Sequence, residues 1–198
     1  KKHSVVLNGI DTEVFHFWET NVLKQNYGWE NKKIIFHATP DFNLNPNHIK
    51  GGYYVAELAK KMLEKPIVFV IAGRYDPSEN YPENMYFLGK VENQQMLAQL
   101  YSMSDITLSQ KETFSMVTAE SLCCGTPVVG FKAGAPEQIA LKEYSSFTEY
   151  GDLQALQEET EHFLQPEFEK AKISETAMSE YSRKTMAKHY LLIYEVKK

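Results

Sequence analysis

The stretch SDITLSQKETFSMVTAESLCCGTPVVGF, residues 104–131, decides the fold of this chain. It opens with a short apolar run at 106–108, crosses a polar turn and enters a segment whose apolar residues have helical spacing. Gly125 ends the predicted helix, and Val128 begins a second apolar strand. Strand, helix and strand in this order form a βαβ unit, in which the two strands are parallel and the crossover is right-handed.

The rest of the chain continues the same alternation of short apolar strands and amphipathic helices. Strands are predicted at residues 33–37, 67–72, 85–88 and 145–148. The helix after residue 50 has a predicted buried stripe of Val55, Leu58, Ala59, Met62 and Leu63. Two later helices begin at N-caps, Asn93 and Asp152. The pattern predicts an α/β domain with a Rossmann-like, open parallel sheet sandwiched by helices.

The two ends of the chain are predicted to lie outside this sheet. Residues 4–7 resemble a short strand, residues 10–31 an irregular aromatic arm packed on the domain edge, and everything from Glu167 a helical tail. We therefore expect one domain over 1–198. Its parts are a connecting arm at 1–31, an α/β core at 32–166 and C-terminal helices at 167–198. The start at Lys1-Lys2 suggests a fragment of a longer protein.

Composition excludes several classes of function. The net charge of -5 argues against a sequence-independent nucleic-acid surface or an anionic-membrane surface. No apolar run approaches the roughly 20 residues that span a bilayer. The neighbouring Cys123 and Cys124 are predicted to be reduced core residues of a cytoplasmic protein, because adjacent helical side chains diverge. Neither the cysteines nor the histidines show metal-ligand spacing, so no metal or other cofactor is expected.

Ligands of open parallel sheets bind beyond the carboxyl ends of the strands. The loops at that edge carry Lys50, Arg74, Lys90 and Glu112, and the predicted helix near Phe114 points free N–H groups toward them. Cations and helix amides suit a phosphate, whereas Glu112 and Glu120 are better suited to accept hydrogen bonds from hydroxyls. Phosphates together with vicinal hydroxyls indicate a sugar nucleotide as the ligand.

These residues also carry a resemblance to a known family. Glu112 and Glu120, separated by seven residues, are followed by GTPVV at 125–129 and GAPE at 134–137. This order resembles the nucleotide-sugar signature of the retaining GT-B glycosyltransferases of family four, also called glycosyl transferases group 1. Further similar motifs are the hinge-like NGID at 8–11, Lys50-Gly51, and Tyr150-Gly151-Asp152. The terminal helix through Tyr194 resembles the one that crosses back to the family's first domain.

The resemblance implies a role for each matching residue. Glu120 would bind the ribose hydroxyls and Glu112 the transferred sugar, while Lys50 would neutralise the leaving diphosphate. Lys90 and Val91 would border the base. The backbone amides that would bind the diphosphate and the sugar belong to Phe114, Ser115, Met116 and Val117. The donor would be a nucleoside-diphosphate sugar with a UDP-like or GDP-like carrier, and no metal would be required.

The resemblance also implies a partner. The acceptor groove of such enzymes lies largely in an N-terminal GT-B domain, which this chain lacks, so we expect the chain alone to be inactive. The parent protein would be cytoplasmic, with peripheral association at the inner membrane face left open.

The chain departs from the family pattern in its phosphate-binding details. The family usually has an arginine after its first donor-domain strand, and Ala38-Thr39 stand there instead. Arg74, after the next strand, is the candidate replacement. Ser115, like Thr113, occupies a position where the family often has glycine, and Leu108 replaces a common proline.

Three other interpretations compete with the donor domain. A non-catalytic nucleotide-binding or partner-docking domain of the same fold is favoured by the missing arginine and opposed by the carboxylate pair. A sugar-nucleotide epimerase shares the architecture but fits the motif order less well. A nicotinamide-dependent dehydrogenase requires a Gly-x-Gly-x-x-Gly turn, which the chain does not have. His37, at a strand end, is expected to be structural rather than a general base.

Overall fold

A computed structural model of the protein describes residues 6–109, 116–134 and 136–195. Within these residues six strands form one parallel sheet in the order β3-β2-β1-β4-β5-β6. The strands are β1 (Lys33–Asp41), β2 (Ile67–Arg74), β3 (Met85–Gly89), β4 (Ile106–Ser109), β5 (Val128–Phe131) and β6 (Ser145–Thr148). The strand order reverses between β1 and β4, and that reversal is the position where such sheets bind ligands.

Helices cover both faces of the sheet. The described helices are α1 (Asn21–Asn26), α2 (Gly52–Lys61), α3 (Gln94–Met103), α4 (Met116–Cys123), α5 (Pro136–Ile139), α6 (Leu153–Leu164), α7 (Lys170–Tyr181) and α8 (Arg183–Glu195), with a 3₁₀ turn at Lys142–Tyr144. One core packs α3, α4 and α7 against Ile34 and Phe36 of β1. The other packs α2 and α6 against Ile35 of the same strand. The alternation of side chains along β1 therefore supplies both layers, as expected for a central strand.

The predicted Rossmann-like sandwich and its central βαβ unit are confirmed. β4, α4 and β5 follow one another as expected, and the sheet pairs β4 with β5 in parallel. Gly125 ends α4 with a φ of 81°, a left-handed conformation that favours glycine. Both predicted N-caps form: the Asn93 side chain accepts a hydrogen bond from the Met96 N–H, and Asp152 accepts one from the Ala155 N–H.

Several expectations at the ends of elements were wrong. No strand forms at residues 6 and 7, the described part of the predicted 4–7 run. The chain there lies outside the sheet, and the Ile10 N–H donates instead to the carbonyl of Tyr181, at the end of α7. Residues 10–31 are not wholly irregular, because they contain α1. The helical tail is broken at Ser182, where the backbone becomes extended. Leu63, predicted to be buried, is 41% exposed, because α2 ends at Lys61 and Leu63 therefore does not share the buried face of the helix.

The N-terminal arm does pack on the domain. Trp29 is buried, stacks on Tyr27 with 4.5 Å between ring centroids, and meets Tyr86 of the edge strand β3 edge-on at 5.1 Å. Trp18 is anchored elsewhere, since its backbone N–H donates to the Ser102 hydroxyl at the end of α3. Among the described residues, no helix combines the length and hydropathy needed to cross a bilayer.

Candidate functional site

A cavity of about 520 Å³ opens at the carboxyl ends of β1, β2 and β3. Residues at the ends of these three strands, residues of α3 and α4, and Lys50 before α2 line it: Ala38, Thr39, Pro40, Lys50, Ala72, Gly73, Arg74, Lys90, Val91, Leu97, Tyr101, Val117 and Glu120. β1 forms one wall, and α4, which follows β4, forms another. The cavity therefore lies at the reversal of strand order.

The structure brings together most of the site residues predicted from the sequence. Six of them line this one cavity: Lys50, Arg74, Lys90, Val91, Val117 and Glu120. Met116, the first residue of α4, has a 37% exposed side chain that is not among those lining the cavity. Glu112, Phe114 and Ser115 lie outside the described residues.

The floor of the cavity depends on a close approach between two strands. A Cβ atom on Gly73 would lie 2.0 Å from the carbonyl oxygen of Thr39, so only glycine fits at this position without displacing the backbone. The pairing of β1 with β2 becomes irregular at the same place, between Ala38 and Asp41. The Thr39 hydroxyl donates to the Asp41 carbonyl at 3.0 Å, and Thr39 is 8% exposed.

Charge in the cavity favours an anion. Its described lining contains three cations, Lys50, Arg74 and Lys90, against one carboxylate, Glu120. Lys90 forms an ion pair of 2.7 Å with Glu92, but both side chains are at least 70% exposed, so the pair is weak. The Arg74 guanidinium makes no ion pair with any described residue.

Glu120, the fifth residue of α4, lies on the side of that helix that faces the cavity. Its Oε2 accepts a hydrogen bond of 3.3 Å from the Tyr101 hydroxyl, while Oε1 makes none with the described residues. Burial raises the pKa of Glu120 to about 7, and the hydrogen bond from Tyr101 opposes that rise. A carboxylate held on a rigid helix with a free oxygen is suited to accept hydrogen bonds from ligand hydroxyls.

Tyr101 is a site residue that the sequence did not reveal. Tyr101 belongs to α3, and its side chain is fully buried. The hydroxyl nevertheless reaches the cavity and Glu120. A buried phenol needs a polar partner, which is a general signal but does not identify the partner. Thr39 and Leu97 are further lining residues without a predicted site role.

His37, expected to be structural, is a buried residue of β1. His37 is 3% exposed. Its Nδ1–H donates a hydrogen bond of 2.9 Å to the Leu108 carbonyl, which links β1 to β4. Burial lowers the pKa of His37 to about 4; the hydrogen bond to the Leu108 carbonyl opposes this shift, and the charge of Lys50 adds a smaller lowering. The imidazole is therefore neutral at physiological pH, and it is not among the residues that line the cavity.

The two cysteines are free and buried, and burial raises the pKa of the Cys123 thiol to about 12. Such thiols are inert, in agreement with their predicted place in the core. Among the described residues, no cluster of three or more His, Cys, Asp or Glu side chains is arranged to hold a metal ion.

A family model described as glycosyl transferases group 1 matches residues 32–166. The chain belongs to this family. It is 28% identical over 181 residues to the N-acetyl-alpha-D-glucosaminyl L-malate synthase of Bacillus anthracis, an alignment that covers 84% of this chain and 45% of that enzyme. The resemblance found in the sequence is thereby confirmed at the level of the family.

Solved structures of glycosyltransferases share the fold. Anabaena HepE, solved with UDP and glucose, superimposes with a TM-score of 0.76 at 19% identity, over 98% of this chain and 56% of HepE. The C-terminal domain of a group 1 glycosyl transferase from Francisella tularensis superimposes with a TM-score of 0.66 at 20% identity, over 86% of this chain and 95% of that domain. This group 1 chain thus has the fold of the C-terminal half of a GT-B glycosyltransferase, and it spans about half the length of the B. anthracis enzyme and of HepE.

Proposed function

We propose that this chain is the donor-binding domain of a retaining glycosyltransferase, which moves a hexose-type sugar from a nucleoside diphosphate to an acceptor. The observation that carries the proposal is the cavity at the strand-order reversal, where three cations and a partly free carboxylate meet. Phosphates bind to cations, and ribose hydroxyls donate hydrogen bonds to a carboxylate. Membership of the group 1 family makes a nucleotide sugar the ligand that combines both.

The diphosphate would bind between the cations and the start of α4. Lys50 lies immediately before Gly51, the N-cap of α2, and lines the cavity, where its charge would stabilise the departing diphosphate. The amides of Met116 and Val117 open α4, at the positive end of its dipole. Phe114 and Ser115 would add their amides. Arg74 would supply the second cation that the family usually carries on the preceding strand.

The nucleoside would bind along the opposite side. Glu120 would accept hydrogen bonds from the ribose hydroxyls, and Lys90 with Val91 would border the base. Glu112 would hold hydroxyls of the transferred sugar. HepE was solved with UDP and glucose, which makes UDP and UDP-glucose the first ligands to test.

Acceptor chemistry belongs to another part of the enzyme in this proposal. An N-terminal GT-B domain of the parent protein would bind the acceptor, so the 198-residue chain would bind donors weakly and transfer nothing alone. Cations of the chain would replace a metal ion in neutralising the leaving group. The reduced, buried cysteines favour a cytoplasmic parent. Peripheral contact of that parent with the inner membrane face would then be a property of the N-terminal domain.

Calorimetric titration tests the donor site directly. We expect UDP, GDP or ADP to bind the wild-type chain, and Glu120→Ala to weaken that binding at least about tenfold, because hydrogen bonds to a charged group are lost. Glu180→Ala, which removes an exposed carboxylate on α7, is the control and should bind like the wild type. Failure of all three nucleotides to bind the wild type, or equal binding by Glu120→Ala, would contradict the proposal.

A second candidate is a nucleotide-binding domain without catalysis. It is favoured by the buried Thr39 at the position where the family usually has arginine. An activity assay on the parent protein distinguishes the two candidate functions, because a non-catalytic protein would bind nucleotide sugars without transferring or hydrolysing them. Sugar transfer by the parent that is lost in Lys50→Ala would exclude the second candidate.

A further inference from the structure

We propose that Tyr101 is a positioning residue of the donor site, whose hydroxyl orients the Glu120 carboxylate so that the site distinguishes ribose from 2′-deoxyribose. This inference rests on the proposed function, in which Glu120 binds ribose. It adds a residue from a different helix, α3, to a site so far built from strand ends and α4.

The contact itself leaves Glu120 ready to accept further hydrogen bonds. Tyr101 donates to Oε2 at 3.3 Å, and Oε1 has no partner among the described residues. An ionised carboxylate offers about four lone-pair positions on its two oxygens. With one of them occupied by the phenol, rotation of the carboxylate is restricted, and the remaining positions stay free on a side chain that lines the cavity.

Tyr101 is itself fixed in place, which lets it act as an anchor. Its side chain is 0% exposed, and its ring meets Phe36 edge-on with 5.0 Å between centroids and an interplanar angle of 89°. Phe15 from the arm lies on a second side at 6.5 Å. A ring enclosed in this way cannot change rotamer without repacking the core. The hydroxyl therefore has one position, at the cavity wall.

Among the described residues, burial and the hydrogen bond from Tyr101 are the influences that shift the pKa of Glu120, so Tyr101 has a distinct effect on it. Lys50, Arg74 and Lys90 line the same cavity, and Cys123 on the same helix and Cys124 just after it are neutral thiols. Burial raises the pKa of Glu120 and the hydrogen bond from Tyr101 lowers it. Removal of the phenol hydroxyl would thus both free the carboxylate to rotate and raise its pKa.

The consequence is a preference that can be measured as a ratio of affinities. A correctly oriented carboxylate accepts from the 2′-hydroxyl and the 3′-hydroxyl together, whereas a 2′-deoxy ligand offers only one of them. UDP and 2′-deoxy-UDP carry the same phosphates, so their ratio cancels every contribution from phosphate ionisation and from the cations. What remains reports the geometry and ionisation of Glu120.

The experiment compares Tyr101→Phe with a matched control, Tyr181→Phe. Tyr181 is also buried, and its hydroxyl donates to the Ile139 carbonyl, a contact that involves no residue lining the cavity. Affinities of the ribo and 2′-deoxy forms of UDP, GDP and ADP are measured by calorimetry on the wild type and both variants from pH 6 to 8.5. The free energy of unfolding of each variant is measured alongside.

In Tyr101→Phe we expect the ribo-to-deoxy ratio to fall about threefold to tenfold, because one hydrogen bond to a charged group is lost. The pH at which ribo affinity reaches half of its high-pH value should also rise. Tyr181→Phe should lower stability and leave the ratio at its wild-type value. An unchanged ratio in Tyr101→Phe, with the wild type still binding nucleotide, overturns the role of Tyr101 alone. Absence of nucleotide binding by the wild type overturns this inference and the proposed function together.

Discussion

Each end of the sheet holds an ionisable side chain withdrawn from water, and the two are satisfied in different ways. Glu120 lies at the carboxyl end, beside the cavity. Lys170, the first residue of α7, reaches the amino ends of β4 and β5. Burial raises the pKa of Glu120 to about 7 and lowers the pKa of Lys170 to about 8. Both groups thus carry a desolvation penalty.

The difference lies in the partners. The Lys170 ammonium donates to the carbonyls of Ser102, at 2.8 Å, and Ser104, and also approaches the Thr126 hydroxyl at 3.3 Å. Three oxygens match the three protons of an ammonium group. Among the described residues, Glu120 has one long hydrogen bond, to Oε2, and Oε1 has no partner. A buried charge with a full set of partners stabilises the fold, whereas one with open positions beside a cavity is available to a ligand.

The largest expected effect is on Lys170. Lys170→Met should lower the free energy of unfolding by about 2–3 kcal/mol, because carbonyls at the end of α3 and the Thr126 hydroxyl lose a charged donor. Urea denaturation measures the change, and Lys172→Met, on the exposed side of the same helix, is the control. Nucleotide affinity should not change. Wild-type stability of Lys170→Met would remove the contrast with Glu120.

A pair of glycines tests the same contrast through the backbone. A Cβ atom added to Gly73, beside the cavity, would lie 2.0 Å from the Thr39 carbonyl oxygen. One added to Gly125 would lie 2.5 Å from the Lys170 carbonyl oxygen. Substitution by alanine at either should cost about 1–3 kcal/mol of stability, since overpacking moves the backbone. Only Gly73→Ala should also weaken nucleotide binding. Equal nucleotide affinity in the two folded variants would show that the cavity floor tolerates this shift.

Glu120→Gln should change stability in a pH-dependent way. The folded-state pKa of Glu120, about 7, is raised above the ordinary 4.5, so the folded protein loses stability as pH rises from about 4.5 to about 7. Glutamine removes that loss. The free energy of unfolding of the variant should therefore rise relative to that of the wild type through this pH range, by about 1–2 kcal/mol after allowance for solvent. Above about pH 7 the difference between the two proteins should stay constant. Denaturation curves from pH 4.5 to 8 that run parallel would contradict the raised pKa.

The smallest effect should come from the rim of the cavity. Arg74→Ala should weaken UDP binding about threefold to tenfold and UMP binding less, because a guanidinium contributes through the charge of the phosphates. Lys90→Ala, which removes a cation already paired with Glu92, should change either affinity less than twofold. Calorimetry at low and high salt measures both. Equal losses for UDP and UMP in Arg74→Ala would place Arg74 away from the second phosphate.

Local patterns allowed much of the fold to be predicted. The N-caps at Asn93 and Asp152, the stop at Gly125 and the apolar runs of the six strands are all set by near neighbours in the chain. Predictions failed where a distant partner decided the outcome. Residues 6 and 7 form no strand because the following chain pairs with the end of α7.

For the site, the sequence alone was enough to nominate Lys50, Arg74, Lys90 and Glu120, because parallel strands place their carboxyl ends at one edge and the loop residues follow. Its motif order also determined the family. Only the tertiary structure decided that these side chains line one cavity. It also showed that the Thr39 carbonyl leaves no room for a side chain at Gly73, and that the Tyr101 hydroxyl contacts Glu120 from another helix. The physical reason is that hydrogen bonds and burial depend on distances between residues far apart in the chain. Periodicity within a single segment does not contain those distances.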